Sequence, residues 1–202
     1  MQRYGLTGGI ASGKSAVAAM LRELGFRVLD ADALGHEVIE PGNPAYDEVV
    51  HEFGTGILDP KGHVDRKKLG AVVFADRAKL DRLNAIVHPS VERAIFEKFR
   101  EWERDGGSDA VFVEAALLVE AGYDKKLDGM VVTWCTPEQQ RERLRARGLS
   151  KEEIERRIAA QMPAAEKLRR ATEKIDCSGP LKETRKQVEE LAAKLRKQTA
   201  LH

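Results

Sequence analysis

The chain has 202 residues, 42% of them hydrophobic and 33% charged, which is typical of a soluble globular protein of one domain. Lysine and arginine number 34 against 33 aspartates and glutamates, so the net charge of +1 excludes a global attraction to nucleic acid or anionic membranes. The two cysteines exclude a disulfide framework and a four-cysteine zinc site. No apolar run approaches the roughly 18 residues of a membrane span, and the N-terminus lacks the pattern of a signal peptide. We therefore expect a cytoplasmic protein.

The first predicted strand, Arg3–Thr7, and the first predicted helix, Ser15–Leu24, flank the segment GGIASGKS. Within it, the pattern G-x-x-x-x-G-K-[ST] is matched by Gly8, Gly13, Lys14 and Ser15. A chance match arises in on the order of one chain in a hundred, and the strand–loop–helix context makes chance rarer. The segment therefore predicts a phosphate-binding loop at the N-terminus of a helix.

Each residue type in this loop has a chemical purpose. Glycines let the backbone curve tightly, so that successive N–H groups point at phosphate oxygens. The ammonium of Lys14 can bind the β- and γ-phosphates, and the hydroxyl of Ser15 can ligate Mg²⁺. The expected ligand is thus a nucleoside triphosphate with its metal ion.

Two aspartates follow the second predicted strand, Phe26–Asp30. In α/β proteins the carboxyl ends of the strands bind the ligands, so Asp30 and Asp32 should emerge beside the phosphates. A carboxylate at this position can orient an attacking hydroxyl or accept its proton, and we favour Asp32 for this role. The alternative is that Asp32 only caps the predicted helix Ala33–Glu40.

The remaining predicted strands alternate with helices, which indicates a parallel sheet in an α/β fold. They are followed by a last helix, and in order these elements are Ala110–Glu114, Met130–Cys135, Lys174–Cys177 and Leu181–Leu195. Glu114 ends its strand at the edge where enzymes with this loop often place an acid near magnesium.

A connection of about eighty residues separates the second and third strands, far more than a usual crossover. Its helical pieces include Leu80–Val87, which we expect His88-Pro89 to end before helix resumes over Val91–Trp102. A structured insertion at this edge suits a lid or an acceptor-binding module. Taken alone, His88 is more often a helix-terminal residue than a catalytic group.

The segment Glu138–Ala171 is rich in arginine. Arg143 and Arg147 share one helix face, since they are four residues apart. These arginines could belong to a mobile lid that meets the triphosphate, where positive charge stabilises the transition state. The alternative is a solvated helix with pairs such as Glu138–Arg141.

Five motifs together resemble the dephospho-coenzyme A kinase family. In chain order they are LTGGIASGKS, DAD, HPSV, ALLVE and RIAAQM. The resemblance runs across nearly the whole chain and implies transfer of the γ-phosphate of ATP, with Mg²⁺, to the 3′-hydroxyl of dephospho-CoA. This is the last step of CoA synthesis, and the implied partner is this small molecule, with no nucleic acid or membrane. Oligomeric state is left open.

The resemblance also implies a fold and a set of site residues. The fold is a three-layer P-loop core over residues 1–202 with a five-stranded parallel sheet, a helical coenzyme-binding insertion at 33–105 and a helical lid at 137–165. The residues implied for ATP binding are Gly8, Gly9, Ala11, Ser12, Gly13, Lys14, Ser15 and Ala16, with Ser15 and Glu114 near the metal. Those implied for catalysis are Lys14, Asp32, Arg143 and Arg147, and those implied for the acceptor are Asp32, His88, Leu117, Leu118 and Gln161.

The sequence departs from the family pattern at a few positions. The family usually has proline at Ala116, an aromatic residue at Val119, Ala-Asp at Ala171-Thr172 and asparagine at Cys177. These changes affect the wall of the acceptor site and the adenine-side loop. None of them removes a residue to which chemistry is assigned.

Three other classes compete with this interpretation. A nucleoside monophosphate or shikimate-type kinase would share the loop and the lid but not the other motifs. A GTPase would need Asn-Lys-x-Asp, which the sequence lacks. A non-catalytic ATP-sensing module would bind ATP without turnover, and would retain function when Asp32 is replaced.

Overall fold

A computed structural model describes residues 1–106 and 108–199. The chain forms two compact bodies, one made of residues 1–29 with the chain from 101 onward, and one made of residues 30–100. The second body overlaps the predicted insertion at 33–105. That this insertion binds the acceptor, and that 137–165 forms a lid, stay predictions.

A five-stranded parallel sheet occupies the first body within the described part of the chain, with the strand order β2-β3-β1-β4-β5. The strands are β1 (Gln2–Gly8), β2 (Arg27–Asp30), β3 (Ala110–Glu114), β4 (Gly129–Trp134) and β5 (Glu173–Asp176). Every predicted strand is present within one residue of its expected bounds. The predicted α/β class with a five-stranded parallel sheet is confirmed.

Helices alternate with these strands and also build the second body. They are α1 (Lys14–Glu23), α2 (Ala31–Glu37), α3 (Tyr46–Phe53), α4 (Arg66–Phe74), α5 (Arg77–Arg104), α6 (Pro137–Ala146), α7 (Lys151–Ala159), α8 (Ala164–Arg169) and α9 (Leu181–Thr199). Short 3-10 turns lie at Thr55–Ile57 and Tyr123–Lys125. Among the residues described, none of these helices has the length and apolar character that crossing a membrane requires.

The core of the first body lies between the sheet and the helices α1 and α9. Val17 and Leu21 of α1 and Val188 and Leu195 of α9 are fully buried there. Their helical spacing puts each pair on the face that the sheet covers. Burial of this face fixes α1, and with it the loop that leads from β1 into its N-terminus.

The register of the sheet decides which side chains flank this loop. In the parallel pairs, Leu6 of β1 lies opposite Glu114 of β3, and Gly8 lies opposite Thr133 of β4. The carboxyl ends of β3 and β4 therefore lie on either side of the point where β1 enters the loop. Glu114 and Thr133 are both buried at this edge.

The long helix α5 differs from the sequence expectation. It continues without interruption through His88-Pro89, so the prediction that this dipeptide ends a helix was wrong. A proline inside a helix removes one backbone hydrogen bond and costs about 3 kcal/mol. The apolar stripe of Ile86, Val91 and Ile95 is buried on both sides of Pro89, and this packing offsets the loss.

Candidate active site

The segment Gly8–Ser15 forms a tight loop between β1 and α1. The amide of Ser12 donates to the carbonyl of Gly9 over 3.0 Å, and Gly13 has φ +100°, a left-handed conformation that favours glycine. A Cβ atom at Gly13 would also lie 2.7 Å from the sulfur of Cys177, and one at Gly8 would overlap Thr133 Oγ1. Space therefore requires glycine at both motif positions, and backbone conformation requires it at Gly13 as well.

Lys14, the motif lysine, is held by a buried carboxylate. Its Nζ lies 3.1 Å from Glu114 Oε2, while Arg22 Nη2 lies 2.7 Å from Glu114 Oε1. Glu114 is 5% exposed, and a buried carboxylate of this kind needs counter-charges to be stable. The structure thus places Glu114 beside the phosphate loop, with both of its oxygens engaged by cations.

Side chains from distant segments bind the backbone of the loop. The amide of Ile10 donates to Gln161 Oε1 over 2.7 Å, and Gln140 Nε2 donates to the carbonyl of Ile10 over 2.6 Å. Ser12 Oγ and Thr133 Oγ1 share a hydrogen bond of 2.7 Å in the interior. These bonds hold the loop rigidly in the described structure, and place Gln161 at the loop.

Ala11 has an unusual conformation, because its φ of +60° is left-handed without being glycine. Arg143 Nη1 donates to its carbonyl over 3.1 Å, and Arg143 Nη2 donates to the carbonyl of Cys177 over 2.6 Å. Arg143 therefore links the loop to the end of β5. Strain of this kind persists only where surrounding contacts enforce it, and Arg143 supplies one such contact to Ala11.

A cavity of about 290 Å³ opens next to the loop. Its walls come from the loop, α6 and the start of α9, and the lining residues are Ala11, Gly13, Ala16, Arg143, Arg147, Cys177, Gly179, Leu181 and Thr184. Arg147 is exposed at the C-terminal end of α6. Two predicted lid arginines thus border one cavity beside the loop, Arg143 through backbone bonds and Arg147 as an exposed cation.

The cysteine that lines this cavity has low reactivity. Cys177 is 5% exposed, and burial raises the pKa of its thiol to about 11. Burial also raises the pKa of Cys135, whose Sγ lies 3.7 Å from the carbonyl of Ala11. Both thiols stay protonated at neutral pH and are poor nucleophiles. They contribute shape to the site.

The predicted acceptor residues that belong to the first body differ in accessibility. Leu117 is 48% exposed in the segment after β3, whereas Leu118 is 2% exposed and packs towards Gly5. Of these two leucines, only Leu117 offers its side chain to a ligand.

In the second body, the two predicted aspartates have separate structural roles. The carboxylate of Asp30 caps α2, accepting from the amides of Asp32 at 2.9 Å and Ala33 at 3.0 Å. The alternative that Asp32 is the cap was therefore wrong. Asp32 lies in the first turn of α2 with an exposed side chain.

Two histidines of the second body, His36 and His88, have lowered pKa values. Burial, followed by the positive charge of Arg66, lowers the pKa of His36, which lies four residues after Asp32 on α2. His88 is exposed on α5, yet partial loss of water around its ring lowers its pKa as well. Both rings are neutral at pH 7, and each can donate and accept a hydrogen bond.

No pattern in the sequence indicated several residues that contact the loop, Glu114 or the segment after β3. They are Arg22, Glu120, Thr133, Gln140 and Lys167. Each makes its contact to a residue distant in the chain, and no spacing in the sequence marks such contacts. Among residues 1–106 and 108–199, no group of three or more histidine, cysteine or acidic side chains is arranged to hold a metal ion.

Comparison with known proteins gives a consistent result. A family model described as dephospho-CoA kinase matches residues 3–183. The dephospho-CoA kinase of Symbiobacterium thermophilum is 50% identical over 190 residues, covering 94% of this chain and 79% of the relative. That of Aquifex aeolicus is 46% identical over 196 residues, covering 96% of this chain and 98% of the relative.

Solved structures agree with these matches. A crystal structure of a Thermus thermophilus protein has a TM-score of 0.82 at 36% identity, covering 96% of this chain and 97% of the other. The dephospho-CoA kinase from Campylobacter jejuni has a TM-score of 0.74 at 25% identity, with the same coverage. A shikimate kinase from Acinetobacter baumannii has a TM-score of 0.52 at 15% identity, which shows a shared fold only. The chain belongs to the dephospho-CoA kinase family.

Proposed function

We propose that this protein transfers the γ-phosphate of ATP to the 3′-hydroxyl of dephospho-CoA, the last step of CoA synthesis, in the cytoplasm. The observation that carries the proposal is the phosphate loop with its lysine, in a chain that belongs to this family over residues 3–183. The proposed partner is the small-molecule acceptor, without nucleic acid or membrane.

ATP would bind along the loop. The proposed contacts are backbone amides and side chains of Gly8, Gly9, Ala11, Ser12, Gly13, Lys14, Ser15 and Ala16. Curved loops of this kind point N–H groups at phosphate oxygens, and the helix dipole of α1 adds to the attraction. When ATP binds, the ammonium group of Lys14 would give up part of its interaction with Glu114 and bind the β- and γ-phosphates.

Mg²⁺ bound with ATP would neutralise charge on the β- and γ-phosphate oxygens. Ser15 fits a direct ligand, because its side chain is exposed in the first turn of α1. Glu114 fits less well as a direct ligand, since Lys14 and Arg22 engage both of its oxygens. We propose that Ser15 holds the ion and that Glu114 acts on it through water.

Asp32 would orient the acceptor hydroxyl and accept its proton. Asp30 provides the cap of α2, so the carboxylate of Asp32 is not required for that purpose. His88, Leu117, Leu118 and Gln161 are the further residues proposed to surround the acceptor, with Leu118 able to take part only through its backbone because its side chain is buried. Gln161 accepts a hydrogen bond from the amide of Ile10, so holding the loop is a simpler role for it than binding the acceptor.

Arg143 and Arg147 would stabilise the charge that develops during transfer. Positive groups fixed near a transferring phosphoryl group favour the transition state over the ground state. Arg143 supports the strained carbonyl of Ala11, so it would act through the loop as well as directly. Arg147 is exposed beside the cavity and free of that constraint, which favours it as the mobile lid cation.

The test is ADP release with Mg²⁺-ATP against dephospho-CoA, AMP, CMP, shikimate and no acceptor. We expect turnover confined to dephospho-CoA. Turnover with another acceptor would retain the kinase mechanism and reject the proposed substrate. Tight ATP binding without turnover on any acceptor would favour the ATP-sensing module.

A further inference from the structure

Lys167 on α8 is a fully buried lysine, with 0% of its surface exposed. Its Nζ donates to the carbonyl of Ala116 over 2.5 Å and lies 2.9 Å from Glu120 Oε1. Burial of an ammonium group is costly unless it is both paired and hydrogen-bonded. The lysine meets both conditions through one short segment, the residues from Ala115 to Glu120 that follow β3.

This segment, which we call the β3 turn, is fixed at both of its ends. The carbonyl of Ala116 also accepts from Thr7 Oγ1 at 3.1 Å, so the start of the turn is bonded to the strand that leads into the phosphate loop. At the other end, Glu120 Oε1 also accepts from the amide of Met162 at 2.9 Å. Lys167 contacts both ends at once.

The β3 turn presents one apolar side chain to solvent. Leu117 is 48% exposed, although its neighbours Leu118 and Val119 are each 2% exposed. The turn follows the carboxyl end of β3, which pairs in parallel with β1, and this edge of a parallel sheet is where ligands bind. An exposed leucine held beside a phosphate loop fits contact with the organic part of a second substrate.

Stability alone does not explain why a lysine is buried at position 167. A buried ion pair contributes little net free energy, and apolar residues of similar volume often replace one without loss. An apolar side chain cannot donate to the carbonyl of Ala116, however. The property that requires Lys167 is therefore the position of the β3 turn.

We propose that Lys167 is a positioning residue for the acceptor, which fixes the β3 turn so that Leu117 contacts dephospho-CoA. The inference rests on the proposed function for the identity of the acceptor. It adds a role for Lys167 and Glu120 that the motif residues do not supply.

The test compares Lys167→Met, Lys167→Arg and the double variant Lys167→Met with Glu120→Gln. Glutamine keeps an oxygen for the amide of Met162 while removing the carboxylate charge that loses its partner. Lys194→Met is the matched control, because Lys194 forms an exposed pair with Glu173 in the same body.

We expect Lys167→Met to raise the KM for dephospho-CoA about tenfold, the scale of one lost charged hydrogen bond, and to leave the KM for ATP unchanged. The double variant should regain the wild-type melting temperature but keep the raised KM for dephospho-CoA. Lys167→Arg should have a KM for dephospho-CoA between those of wild type and Lys167→Met. The control Lys194→Met should match wild type. A purely structural role predicts instead that the KM returns with stability in the double variant, or that both KM values rise together. Either outcome overturns the proposal.

Amide hydrogen exchange over residues 115–120, measured without substrates, separates this inference from the proposed function. Lys167→Met should speed exchange there, and the control should not. If wild type showed no turnover with dephospho-CoA, the proposed function would fail, while faster exchange would still support positioning of the turn. Unchanged exchange in Lys167→Met would overturn the positioning role whatever the acceptor.

Discussion

Lys14 Nζ lies 3.1 Å from Glu114 Oε2, although the two residues are 100 positions apart in the chain. The lysine of the phosphate loop is thus paired with a buried carboxylate, which also binds Arg22. This pairing holds the ammonium next to the loop and limits the side-chain entropy that nucleotide binding would otherwise cost.

Replacing Lys14 tests both of these roles. Lys14→Ala should lower kcat by at least about a hundredfold, because it removes a fixed charge from the transferring phosphoryl group. It should also lower the melting temperature, since Glu114 keeps only one cation. Adding Glu114→Gln should restore stability without restoring activity. Recovery of activity in that double variant would contradict a direct role for Lys14.

Asp32 and Asp30 form a matched pair of targets on α2. Asp32→Asn should lower kcat about a hundredfold or more, the scale of a lost general base, with ATP affinity near normal. Asp30→Ala should cost about 1 kcal/mol of stability as a lost helix cap. Turnover and thermal unfolding of these variants give the comparison, and full turnover in a folded Asp32→Asn protein would reject the assignment.

Arg143 and Arg147 should respond differently to truncation. Arg143→Ala removes two bonds to backbone carbonyls, so we expect a loss of about 1–3 kcal/mol in stability and a higher KM for ATP. Arg147→Ala should lower kcat while leaving the melting temperature nearly unchanged. Steady-state kinetics with calorimetry would measure both effects. Unchanged rates in both variants would move the lid cation to another arginine.

The thiol of Cys177 should make stability depend on alkaline pH. Burial raises its pKa to about 11, so the folded thiol keeps its proton above pH 9, where the unfolded thiol releases it. The stability that the protonated Cys177 thiol contributes is therefore complete below pH 9 and is lost as pH rises towards about 11. Cys177→Ala has no thiol to titrate, so the stability advantage of wild type over the variant should shrink by about 2 kcal/mol across that range. A constant difference in chemical denaturation would contradict the raised pKa.

Local patterns in the sequence were sufficient for the fold. The strands Ala110–Glu114 and Met130–Cys135 were predicted within one residue, because a short apolar run between polar breaks leaves few alternatives. The phosphate loop was equally predictable, since all its required residues lie within eight positions. Proline in α5 misled the prediction because local geometry penalises it, whereas the buried stripe around it is a tertiary effect.

The sequence by itself determined the α/β class, the phosphate loop and the set of motifs that marks the family, since each depends on residues close together in the chain. Only the tertiary structure decided that Glu114 binds Lys14, that Gln161 binds Ile10 and that Lys167 is buried against the β3 turn. These contacts join residues 51 to 151 positions apart. The register of the sheet and the docking of the helices bring such residues together, and no spacing along the chain encodes either of them.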